Sequence, residues 1–193
     1  MGNCGNNEVM QTHFPLTIPS KPYLIKYLQS LYGNPIIFSS NNYFGTSLIG
    51  YVTTRIYLQN QSHFIRRQLD QLSEPLTFYL PRYWLFEYKY KTQLPQCNII
   101  YLNKHIEEKF EDELTLYCFT LYSIGIERKS AIEGFCDRHN ISIEDDISYE
   151  ALKRKEYRCR KRMEINMGKT VPPEYGFRSD SVLQKNLLPA ANW

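Results

Sequence analysis

Between residues 105 and 123 the apolar side chains Ile106, Phe110, Leu114, Tyr117 and Leu121 follow one another at intervals of four, four, three and four. Only an α-helix puts that spacing on one face. Asn103 is the expected cap, and Glu107, Glu108, Glu111, Asp112 and Glu113 are assigned to the solvent side. Gly125 ends the run. A helix of this length with one apolar stripe must lie against a second layer, which the rest of the chain has to supply.

Upstream, the pattern changes to one that suits a sheet. Phe14 to Ile18 reads as a strand with Pro15 at its edge, and Pro35 to Phe38 as a second short one. Leu76 to Leu80 reads as a third. Glu87, Lys89 and Lys91 alternate with Phe86, Tyr88 and Tyr90, the period of a half-buried strand that would pair with 76–80 as a hairpin. Asn98 to Leu102 is read as one more strand. Between them, Ser20 and Pro22 mark a helix start, Tyr23, Leu24, Tyr27, Leu28 and Leu31 its apolar face, and Gly33 its stop. The segment through Ile49, Val52 and Ile56 fits helix or strand.

Downstream, a helix over 128–139 buries Ala131, Ile132, Phe135 and Cys136, and Ser148 caps a third helix reaching Met163. The fold class expected is α+β. An aromatic-rich N-terminal part with a small antiparallel sheet precedes a three-helix segment and an extended C-terminal tail. The corresponding divisions are a flexible tail at 1–12, the α+β part at 13–102, the helical part at 103–167 and the extended tail at 168–193. An apolar fraction of 42%, with 16 tyrosines, is enough for a sizeable core.

Charge is unevenly distributed. Residues 1–102 hold eight Lys/Arg against four Asp/Glu, residues 103–150 five against twelve, and residues 151–193 ten against four. The acidic segment therefore directly precedes a basic one. Within the third helix, Arg154, Arg158, Lys161 and Arg162 recur at i, i+4, i+7 and i+8, opposite a stripe of Tyr149, Leu152, Cys159 and Met163. Lys153, Lys155 and Arg160 widen the basic surface, and Glu156 is the one acid between 153 and 162. Such a face suits a phosphate backbone, where each neutralised phosphate releases counterions, and arginine forks onto phosphates or guanine edges. It equally suits an acidic protein surface, or internal pairing with the acids at 107–113 and 144–146.

Catalytic and metal-binding patterns are missing from the sequence. His13, His63, His105 and His139 are isolated, and no GxSxG or dinucleotide-binding glycine pattern occurs. Gly168-Lys169-Thr170 ends like a phosphate-binding loop, but Met163 stands where its first glycine belongs. Glu144, Asp145 and Asp146 fit the start of the third helix better than a metal site. His63 with Arg66 and Arg67 reads as an inert surface cluster. Neither a cofactor nor a metal is expected, and no enzymatic role. Cys4, Cys97, Cys118, Cys136 and Cys159 form no CxxC pair, and Cys118, Cys136 and Cys159 read as core positions. Met1-Gly2-Asn3-Cys4 resembles an acylation signal, but Asn6 stands where Ser or Thr is needed and no polybasic stretch follows. The polar start and the lack of a long uncharged run predict a protein without membrane contact, in a reducing cytoplasmic compartment.

Ser130 to Phe135, then Ile141 and Ile143, then Tyr149 to Lys153 and Tyr157 to Arg160 resemble accessory proteins of bacterial phages and mobile elements. The resemblance covers about the last third of the chain and implies an accessory role without assigning residue functions. Two roles are open at this stage. One is a nucleic-acid-binding accessory or regulatory protein acting through Lys153, Arg154, Lys155, Arg158, Arg160, Lys161 and Arg162. The other is a structural or assembly protein, self-associating or partner-bound, whose tail docks through Leu187, Leu188 and Trp193.

Overall fold

The computed structural model describes residues 12–53, 62–84 and 94–166. Strand β1 (His13–Ser20) is followed by helix α1 (Pro22–Tyr32), strand β2 (Ile36–Ile37), helices α2 (Tyr43–Thr53) and α3 (Ser62–Leu69), and strand β3 (Glu74–Pro81). Three helices complete the described chain: α4 (Gln96–Ser123), α5 (Arg128–Arg138) and α6 (Tyr149–Asn166). The fold is mixed α+β, with a three-stranded sheet in the order β1-β3-β2.

Period-two patterning builds the sheet. β1 and β3 run antiparallel with Phe14 opposite Leu80, Leu16 opposite Phe78 and Ile18 opposite Leu76. All six side chains are buried. On the other face Thr17 and Thr77 bond hydroxyl to hydroxyl at 2.9 Å. β2 pairs with β3 in parallel, Ile36 opposite Phe78. The sheet is therefore mixed where an antiparallel one is expected, because α1 returns the chain to the far side of β3. The strand expected at 86–91 and its hairpin, the flexible tail expected at 1–12 apart from Thr12, and the extended tail expected at 168–193 lie outside the described residues, and the Thr12 carbonyl accepts from the Arg82 amide at 2.9 Å.

Tyr23, Leu24, Tyr27 and Leu28 are buried on α1, and Gly33 ends it at φ 82°, a backbone conformation that favours glycine. α4 supplies the long stripe: Leu102, Ile106, Phe110, Leu114 and Cys118 are all buried. Phe110 sits at the centre, with ring centroids 5.0 Å from Tyr23, 5.4 Å from Tyr27 and 5.5 Å from Phe135. Cys118, Cys136 and Cys159 are buried as expected. One buried cluster runs from Phe14 through Phe110 to Leu152.

Three local expectations fail for one reason. Residues 98–102 are helical, because α4 starts after Pro95, two turns before the expected cap. Asn103 is buried within the helix, and Ser20 is the last residue of β1, not a cap for α1. The Ser20 hydroxyl donates to Asn103 Oδ1 at 2.7 Å, and Asn103 Nδ2 donates to the Pro19 carbonyl at 2.9 Å. Two polar residues that look like local caps instead satisfy each other across 83 residues of sequence, fastening the end of β1 to α4. Helix α3 is also unforeseen, and it carries Arg66 and Arg67 exposed in its last turn.

The chain divides into two compact units, residues 1–159 and 160–193. The sheet and the first five helices lie in the first. Of the second, residues 160–166 are described, as the closing turns of α6.

Candidate nucleic-acid interface

The acidic loop before α6 sets its start. Glu144 Oε1 accepts the Tyr149 amide at 3.0 Å, and Ser148 Oγ accepts the Ala151 amide at 3.3 Å. Carboxylate and hydroxyl thus occupy the end of the helix where free N–H groups point outward. Asp146 accepts from the Ser142 amide at 2.6 Å and from Lys26 Nζ at 2.5 Å. These acids serve the helix start and a link to α1, and no metal-binding group of three or more ligands occurs among the described residues.

Leu152, Lys155, Glu156 and Cys159 form the buried face of α6. Lys155 is the departure from the expected basic surface: it is 9% exposed and turned inward. Its ammonium meets Glu107, and Glu111 at 2.9 Å, both on α4. Glu107 also accepts from Lys21 at 2.9 Å and from the Tyr23 hydroxyl at 2.6 Å. These two acids, expected on the solvent side of α4, thus belong to a shielded network. Glu156 is 0% exposed and paired with the Arg128 guanidinium of α5. The spacing held this signal, since positions 155 and 156 fall beside 152 and 159 on one helical face. Internal pairing, one of the readings open from sequence, is what these two charges do.

The opposite face is different. Arg154 and Arg158 are exposed, one turn apart. Their Nε atoms donate to the Glu150 and Arg154 carbonyls at 3.1 and 3.3 Å, and among the described residues neither guanidinium has a carboxylate partner. Exposed Tyr157 lies three residues from Arg154 on the same side, an aromatic that charge counting passes over. Lys153 is half-buried, 3.5 Å from Glu150, and its carbonyl accepts from Arg128 at 2.9 Å, so it faces the helix start. In the second unit, Arg160 is half-buried while Lys161 and Arg162 are exposed. Leu187, Leu188 and Trp193 lie outside the described residues.

Burial pushes the Glu107 carboxyl up, but the Lys155 ammonium, with hydrogen bonds from Lys155, Tyr23 and Lys21, outweighs it and holds the group down to about 2. A depressed carboxyl contributes stability that is complete above its unfolded value of about 4.5 and is lost as pH falls toward about 2. The urea midpoint should therefore drop over that window, and Glu107→Gln should make the drop shallower. An unaltered acid limb in that variant would contradict the ion pair.

His139 and His105 are packing residues. His139 is 2% exposed, between Tyr27 and Phe135, with Nδ1 2.5 Å from Ser30 Oγ; burial lowers its pKa, favouring the neutral ring. His105 stacks on Tyr43 at 5.4 Å and meets Ser47 at 3.2 Å. No described helix is long and apolar enough to cross a membrane. Compared with known proteins, the chain matches no family model, no curated protein and no solved structure.

Proposed function

We propose that the chain is a nucleic-acid-binding accessory or regulatory protein of a phage or mobile element, contacting phosphates through the outer face of α6. One observation carries the reading. The only acid between 153 and 162 is turned into the core and neutralised there, so no carboxylate stands between Arg154 and Arg158 on the outer face, and exposed Glu150, one turn before Arg154, lies 3.5 Å from Lys153. An arginine whose Nη atoms are not held by a carboxylate can fork onto a phosphate without first breaking an ion pair. Tyr157 offers a ring beside them, the pairing of cation and aromatic that single strands use. Lys161 and Arg162 continue the series by sequence spacing. Lys155 is withdrawn from the contact set by its burial, and Lys153 and Arg160 are secondary to it.

The test is fluorescence anisotropy with labelled duplex DNA, single-stranded DNA and RNA, comparing the protein with Arg154→Glu/Arg158→Glu. The double variant is expected to bind at least about tenfold more weakly at moderate salt, with a salt slope shallower by about two. Equal affinity and slope for the two proteins would refute the proposal.

A further inference from the structure

A hydroxyl has one proton to give, and at Ser30 its destination is fixed. Ser30 Oγ lies 2.6 Å from the Tyr27 carbonyl, which can only accept, so the proton points there. The same oxygen lies 2.5 Å from His139 Nδ1, and towards that nitrogen it is left with a lone pair to offer. Nδ1 therefore carries the ring hydrogen, and Nε2 of the neutral ring holds a bare lone pair. This second nitrogen is buried without a hydrogen-bond partner. What faces it is Glu113 Oε1 at 3.7 Å, too distant for a bond and itself an acceptor. The other carboxylate oxygen of Glu113 accepts the Tyr27 hydroxyl at 2.6 Å. Burial, reinforced by Glu113, pushes the Tyr27 phenol far above its ordinary range, so that hydrogen stays on the tyrosine.

Four residues thus form a ring of contacts that begins and ends at Tyr27 and lacks one link. We propose that His139 Nε2 and Glu113 Oε1 are an internal proton-binding site: one proton taken from solvent closes the ring and fastens α1, α4 and the end of α5 together, and its loss reopens it. An imidazolium donates from both nitrogens, so Nδ1 keeps Ser30 while Nε2 gains the carboxylate. A movement of about 1 Å brings the pair to charge-assisted bonding distance. Tyr27 keeps Oε2 throughout. The Glu113 side chain is 35% exposed and gives the proton a route from water to a ring that is itself 2% exposed. The titratable groups facing that ring are Glu113 from α4, Tyr27 from α1 and Arg138 from α5, while Lys26 of α1 is held by Asp146 at 2.5 Å. Burial lowers the His139 pKa from its ordinary 6.5, Glu113 pulls it back up and Arg138 pushes it down. Stability from the neutral ring is therefore complete above 6.5 and is lost as pH falls through the lowered value, a loss that Glu113 limits. The inference stands apart from the nucleic-acid reading and uses none of its residues.

Nitrogen-resolved NMR of the histidine side chains in the full chain, from about pH 8 down to about pH 5, tests it, with His139→Gln identifying the signal. In the parent the neutral ring should be in the Nδ1–H form, and acidification should protonate Nε2. Glu113→Gln, with the fold checked by circular dichroism, should shift that midpoint to lower pH. The tautomer is read on the unaltered protein, so the test holds even where the substitution unfolds the chain. A neutral ring in the Nε2–H form, a ring that stays neutral until the chain unfolds, or equal midpoints in the parent and Glu113→Gln would each overturn the proposal.

Discussion

Glu156→Leu should lower the free energy of unfolding by about 3–5 kcal/mol, the usual consequence of stranding one member of a buried ion pair. Glu156 is 0% exposed and the Arg128 side chain 14%, so the substitution leaves a guanidinium largely shielded from water with its main counter-charge gone. A domain of this size is stable by about 5–15 kcal/mol, so the loss is a large fraction of the whole. The double variant Arg128→Met/Glu156→Leu removes both charges and should recover most of the deficit, since apolar groups of similar volume replace such pairs at little cost. Urea unfolding of the two single variants and the double one measures the coupling. A double variant as unstable as the sum of the singles would show that the two side chains act independently.

Phe110→Ala should be comparably damaging, at about 3–5 kcal/mol, through a cavity instead of a charge. Phe110 is fully buried where α1, α4 and α5 meet, against Tyr23, Tyr27 and Phe135. The two tyrosines are held from outside by hydroxyl bonds of 2.6 Å to Glu107 and Glu113, which limits their collapse into the space. Phe110→Leu keeps most of the volume and should cost less than about 1.5 kcal/mol. Denaturant midpoints, read with the slope to confirm a two-state transition, separate these outcomes. Near-equal midpoints for the alanine and leucine variants would mean that the site relaxes freely.

The parts of the fold legible in the sequence are those where periodicity and burial coincide within one element. The stripe from Ile106 to Leu114 and the alternation from Phe14 to Ile18 are of this kind. What could not be read there depends on partners distant in the chain. Ile99, Ile100 and Tyr101 favour a strand by local composition, yet the four-residue spacing from Leu102 through Phe110 to Cys118 carries the helix back to Gln96. Asn103 and Ser20 have the chemistry of caps, and only tertiary structure reveals that each satisfies the other. In the candidate interface, Arg154 and Arg158 stand exposed as their spacing suggests. Lys155 does not, because its partners Glu107 and Glu111 lie 48 and 44 residues earlier. The acidic segment before the basic helix thus has a partly internal purpose, and the cationic surface is narrower than its composition implies.

The salt dependence of nucleic-acid binding bears most directly on the proposed role. Affinity of the full chain for a labelled duplex and for a single strand should be measured from about 50 to about 200 mM salt. The account predicts a linear fall of log affinity with log salt, made shallower when Arg154 and Arg158 become Glu. No binding at the lowest salt, or binding indifferent to salt and to both substitutions, would contradict it.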